Sequence, residues 1–144
     1  MHDVTPDIVT MAKQIGNGFP LAAVVCKKEI ADCMNKATFT TYGGNPVAMA
    51  AGREVLKVIE EEGLQENCER MGRLFMSGLH DLKERHEAIG DVRGAGLMIG
   101  IEVVTDKFTK TPDQKMFEAV FERTKEYGLL MGKGGRYGTV MRIQ

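Results

Sequence analysis

The apolar residues Ile8, Val9 and Met11 and the run Leu21 to Cys26 flank a segment, Lys13 to Pro20, that carries one lysine and the glycines Gly16 and Gly18. This pattern limits the local fold. Short apolar runs bounded by glycine and proline read as strands rather than helices. The expected structure is a short buried strand over 8–11, a turn, and a second strand over 21–26. Lys13 then stands where the sheet runs out and the chain turns back. A lysine at an apolar strand end can shed its charge and act as an amine nucleophile toward an aldehyde. By spacing alone it also reads as a solvated strand cap, the more common situation.

The remaining pattern is helical at first. A short helix is expected around Glu29 to Met34, and the polar run Asn35 to Gly44 reads as a loop. Asn45 followed by Pro46 is a helix start, because asparagine caps free N–H groups and proline fits the first helical position. That helix should run to about Glu62 and stop at Gly63. A second helix is predicted over 64–86, with Leu64, Cys68, Met71, Phe75, Leu79 and Leu82 on one core-facing side. Gly78 within it suggests close packing.

Strand character returns over Gly96 to Val104, where Gly100 allows a bulge or a close approach. Thr111-Pro112 is expected to open another helix with Phe117, Val120 and Phe121 inward and Gly128 at its end. Leu129 to Met131 and Thr139 to Ile143 read as a final strand pair joined by residues 132–135. A seam between domains is expected near residues 58–64.

Composition excludes several functions. Over 144 residues the formal net charge is −1, which provides no drive toward nucleic acid or an anionic membrane. Cys26, Cys33 and Cys68 lack zinc-type spacing, and their odd number argues for a reducing compartment over a disulfide framework. His2, His80 and His86 are scattered and suggest no metal site. The segment GKGGRYG lacks the spacing of a nucleotide-binding loop.

Five segments occur in an order that resembles one family: PDIVTMAK with IGNGFP at 6–20, TYGGNP at 41–46, LQEN at 64–67, GDVRGAGLMIGIE at 90–102 and MRI at 141–143. They resemble the class III pyridoxal-phosphate aminotransferases, in particular the mitochondrial alanine–glyoxylate branch. The resemblance implies an α/β fold: the end of the large domain of a fold type I enzyme over residues 1–60, then most of the small C-terminal domain over 61–144. It implies that Lys13 is the Schiff-base lysine and the base for the α-proton. Thr41, ahead of GGNP, would bind the phosphate of a neighbouring subunit's cofactor, and Arg142 would hold the substrate's α-carboxylate. Gln14 departs from the pattern, standing where relatives commonly have glycine. Arg93, within DVRGAG, is expected to be structural.

The resemblance further implies a homo-oligomer acting on an amino acid and a 2-oxo acid, with a mitochondrial location although 1–9 contains no import signal. It also leaves open a phospho-lyase acting on an amino-alcohol phosphate. The family's aspartate for the pyridine nitrogen, stacking aromatic and glycine-rich phosphate cup have no counterpart in these 144 residues. A shortened product that does not catalyse by itself is therefore a further reading.

Overall fold

Apolar alternation produces an antiparallel hairpin at the start of the chain. Ile8–Ala12 (β1) pairs with Ala22–Cys26 (β2), in a register running from Ile8 opposite Cys26 to Ala12 opposite Ala22. The computed structural model describes residues 3–144, so His2 lies outside the described residues. The chain divides into two compact units, Met1–Gly63 and Leu64–Gln144.

In the first unit, a single 3₁₀ turn, Lys13–Gly16, follows β1. One helical turn, Lys28–Ala31 (α1), comes after β2 and is shorter than the expected 29–34. The helix Pro46–Glu61 (α2) starts as its sequence requires: the Asn45 Oδ1 accepts from the backbone N–H of Val47 at 3.0 Å and of Ala48 at 3.2 Å. Gly63, at φ 57, lies just beyond its end. The expectation of buried strands is corrected, since every residue of β1 is exposed, as are Val24 and Val25 of β2. The reason is where α2 packs. It lies on the 3₁₀ turn and on Leu21, where Gly52 leaves room for the leucine side chain, and it leaves the strand faces open.

The second unit is a helix-covered antiparallel sheet. Leu64–Arg85 (α3) precedes the hairpin Ile89–Ala95 (β3) and Met98–Asp106 (β4). The two-residue Thr111–Pro112 (β5) pairs with β4; Gln114–Glu126 (α4), Gly132–Gly134 (β6) and Val140–Ile143 (β7) complete the unit. The sheet order is β3-β4-β7-β6, with every pairing antiparallel. Val92, Ile99, Ile101, Val103 and Met141 form the inner face. They enclose a core with Leu79 of α3 and Phe117 of α4, the latter fully buried and stacked on Phe121 at 5.3 Å between ring centres.

Several expectations change here. Strand β3 is absent from the sequence reading, because Gly90 and Gly94 interrupt its alternation. Each glycine sits where a Cβ would press on β4, Gly90 against Val104 and Gly94 against the backbone at Met98 and Ile99. The α3 stripe holds except at one position: Leu79 is buried, Leu82 packs on the core, and Leu64, Cys68 and Met71 are half-buried, whereas Phe75 is exposed and Met76 packs on the core in its place. Gly72, not Gly78, is the close contact, since a Cβ there would collide with the Gly96 carbonyl while Gly78 faces open space. Thr111-Pro112 pairs with β4 rather than opening α4; Asp113 is the cap, its Oδ1 accepting from Met116 N–H at 2.9 Å. Val120 is 38% exposed. Residues 129–131 are not a strand, and the pairing moves to the glycine-rich segment of β6. Of the two roles expected for Gly100, it takes the close approach: it stays in regular register with no bulge, and a Cβ there would lie 3.3 Å from Val140 Cγ1, while the irregularity between β3 and β4 falls at 89–91.

Candidate active site

Lys13 is placed by an abrupt change of backbone. Ala12 is extended, and Lys13 next adopts φ 60, a left-handed conformation that costs an L residue roughly 1–2 kcal/mol. The turn holds it there. Asn17 N–H donates to the Gln14 carbonyl at 3.0 Å and Phe19 N–H to the Gly16 carbonyl at 2.9 Å, while Gly16 is buried against Leu21. Strained backbone maintained by surrounding bonds is a feature of functional positions. Gln14 is not in the left-handed region, so its side chain fits the turn without backbone strain.

The lysine borders an open cavity of about 430 Å³, lined also by Gln14, Asn17, Gly18, Phe19 and Pro20. That volume falls in the range of about 300–1,000 Å³ typical of small-molecule sites. A second recess of about 280 Å³ shares Phe19 and Pro20 and is bounded by Tyr42, Asn45 and Ala48. Thr41 lines neither recess.

Thr41 occupies an exposed turn, 41–44, directly before α2. The helix start contributes less to an anion site than its sequence suggests. Pro46 has no N–H, Asn45 caps Val47 and Ala48, and Gly43 N–H donates to the Thr40 carbonyl at 3.0 Å. The Thr41 hydroxyl and the Gly44 N–H make no hydrogen bond among the described residues, so these two donors face solvent.

Arg142 belongs to the second unit, on β7, opposite Gly100 of β4 and Gly132 of β6. Its side chain is exposed, and its one hydrogen bond among the described residues runs from Nη2 to Oε1 of Gln144 at 2.8 Å. Gly134 has no Cβ because the aliphatic stem of Arg142 occupies that space. Lys13 and Thr41 thus share the first unit and Arg142 stands in the other.

On the same outer sheet face, Arg93 Nη1 donates to Asp91 Oδ2 and to Glu102 Oε2, both at 2.8 Å. Burial pushes the Asp91 carboxyl upward, but the hydrogen bond and charge of Arg93, the Lys83 ammonium and the Val92 amide together hold it below the usual range. The same two hydrogen bonds raise Arg93. Sequence reasoning found Arg93 but not its partners. Alternating charges at 91, 93 and 102 were the available signal, and they form a set only through strand pairing.

All 144 residues match the model of the family described as aminotransferase class-III. The chain belongs to that family. It is 53% identical over 143 residues to the Arabidopsis thaliana protein named alanine–glyoxylate aminotransferase 2 homolog 2, mitochondrial, covering 99% of this chain and 30% of that one. It is 46% identical over 142 residues to the Caenorhabditis elegans protein named ethanolamine-phosphate phospho-lyase homolog 1, covering 96% and 30%. A solved Bacillus anthracis aminotransferase superposes with a TM-score of 0.89 at 38% identity, covering 99% of this chain and 34% of that one. The mixed α/β fold is therefore that of these enzymes, and the chain spans about a third of their length. Members of the family depend on pyridoxal phosphate.

Proposed function

We propose that the protein containing this chain transfers an amino group from an amino acid to a 2-oxo acid, alanine and glyoxylate being the pair that the relatives' names suggest. The observation that carries this reading is Lys13, held on left-handed backbone and lining an open recess of small-molecule size. The residues fit pyridoxal phosphate: a primary amine for an aldehyde, an apolar wall in Phe19 and Pro20, and the free Thr41 hydroxyl for a phosphate. When bound, that cofactor supplies the aldehyde and the electron-accepting ring that weakens bonds at the substrate's α-carbon.

The chain's own groups would divide the rest. Lys13 Nζ anchors the cofactor and, once released, takes the α-proton of the amino acid. The Thr41 hydroxyl and Gly44 N–H donate to phosphate oxygens, those of a neighbouring subunit's cofactor, which makes the active form a homo-oligomer. Arg142 binds both oxygens of the substrate carboxylate through its planar fork. Residues 1–60 would close the large domain and 61–144 form most of the small one. The relatives' names favour a mitochondrial location.

Borohydride reduction in the presence of pyridoxal phosphate, followed by peptide mass analysis, tests the reading. A phosphopyridoxyl label on Lys13 that is lost in Lys13→Ala is the expected result; labels scattered over surface lysines would refute it. The Caenorhabditis elegans relative favours a second reading, elimination of phosphate from an amino-alcohol phosphate with the same lysine. Turnover of alanine with glyoxylate, set against phosphate release from phosphoethanolamine, separates the two.

A further inference from the structure

The outer face of the second unit's sheet places an acid diagonal to Arg142, whose stem lies over Gly134 on the other side. Arg93, Gly100, Arg142 and Gly132 form one row across β3, β4, β7 and β6. Glu102 lies two residues along β4 from Gly100, opposite Val140, and so is the diagonal neighbour of Arg142. Diagonal pairs on one sheet face are about 7–8 Å apart, a span that long charged side chains cross. Gly100 adds no side chain of its own, and the short Val140 side chain that leans over it is the one group the two long side chains have to clear. The Glu102 side chain is only 24% exposed, and its sole ion pair among the described residues is with Arg93.

We infer that Arg93 is a positioning residue: it holds the Glu102 carboxylate from the far side of Gly100 and thereby keeps the Arg142 guanidinium available to an incoming carboxylate. The inference rests on the reading of Arg142 as the carboxylate-binding arginine. The surrounding charges fit this division. Asp91 has a second cation in Lys83, at 3.7 Å, so loss of Arg93 strands Glu102 rather than Asp91. A stranded, partly buried carboxylate seeks a cation, and the diagonal neighbour Arg142 has no ion pair among the described residues.

The test is a set of variants in the holoenzyme, R93Q, R93Q/E102Q and R142Q, with kcat and KM measured for the amino donor. R93Q should raise KM roughly fivefold with kcat little changed, as expected when an ion pair near the surface competes for one partner. Adding E102Q should return KM to the wild-type value. A purely structural Arg93 would instead show no rescue by E102Q, and that outcome overturns the inference. If R93Q does not fold, R93K keeps a positive charge but not the planar fork; it should give a smaller rise in KM, again abolished by E102Q. A readout without turnover is the Arg142 Nε–Hε NMR resonance of this chain. It should move in R93Q and return in the double variant; an unmoved resonance in R93Q also overturns the inference. An unchanged KM in R142Q would instead remove the reading of Arg142 on which it depends.

Discussion

Replacing glycine by alanine at two positions of α3 should produce opposite effects on stability, although the chemical change is the same. An alanine in a helix interior gains about 1 kcal/mol over glycine from backbone entropy. At Gly78 nothing lies within 4 Å of the new Cβ, so Gly78→Ala should stabilise the protein by about 0.5–1 kcal/mol. At Gly72 the new Cβ would run into the carbonyl oxygen, carbonyl carbon and Cα of Gly96. These are backbone atoms of the tight β3–β4 turn, where Gly96 holds φ 55, so no side-chain rotation relieves the clash. Overpacking costs about 1–3 kcal/mol, and a rigid backbone neighbour places Gly72→Ala at the upper end. After the helix-propensity gain, a net loss of about 2 kcal/mol remains. The two variants should therefore differ by about 3 kcal/mol, which in a 60–100-residue unit corresponds to more than about 10 °C in Tm. Urea unfolding followed by far-UV circular dichroism, with the slope m checked for constancy, measures the difference. A Gly72→Ala protein as stable as wild type would refute the packing of α3 on that turn.

Asn45→Ala removes the acceptor for the Val47 and Ala48 amides and should cost about 1 kcal/mol. Hydrogen exchange should accelerate at those two amides first. The Asp91 carboxyl has a folded pKa below its ordinary value of 3.8, so its contribution to stability is present above pH 3.8 and is lost as pH falls through the lower folded value. The difference in urea midpoint between wild type and R93Q should accordingly shrink as the pH is lowered below 3.8. A difference that stays constant down to pH 2 would show that Arg93 does not act through this carboxylate. Lys13→Ala should abolish transamination while leaving the unfolding free energy within about 0.5 kcal/mol, as for an exposed side chain.

Legibility in the sequence followed how local the governing interaction is. The start of α2 was readable because Asn45 and Pro46 act on amides within three residues. The end of α2 before Gly63 and the turn after Ala12 were readable for the same reason. The choice between Phe75 and Met76 on α3 was not, because both suit a helix equally and only the sheet beneath selects Met76. The same holds for Thr111-Pro112. As a dipeptide it resembles a helix opening, yet Val104 and Asp106 recruit it into β5 across the sheet edge. β3 escaped notice because its glycines read as turn residues until β4 lies against them.

For the candidate site, the residue types and their order identified the family and pointed to Lys13, Thr41 and Arg142, since covalent chemistry, anion binding and carboxylate binding each require particular functional groups. Tertiary structure decided the conformation and company of those groups. It set Lys13 on left-handed backbone, spent the α2 amides on Asn45, and aligned Arg93, Gly100 and Arg142 in one row. Chain chemistry is written residue by residue, but a register across strands and a Cβ that finds no room exist only when distant segments meet.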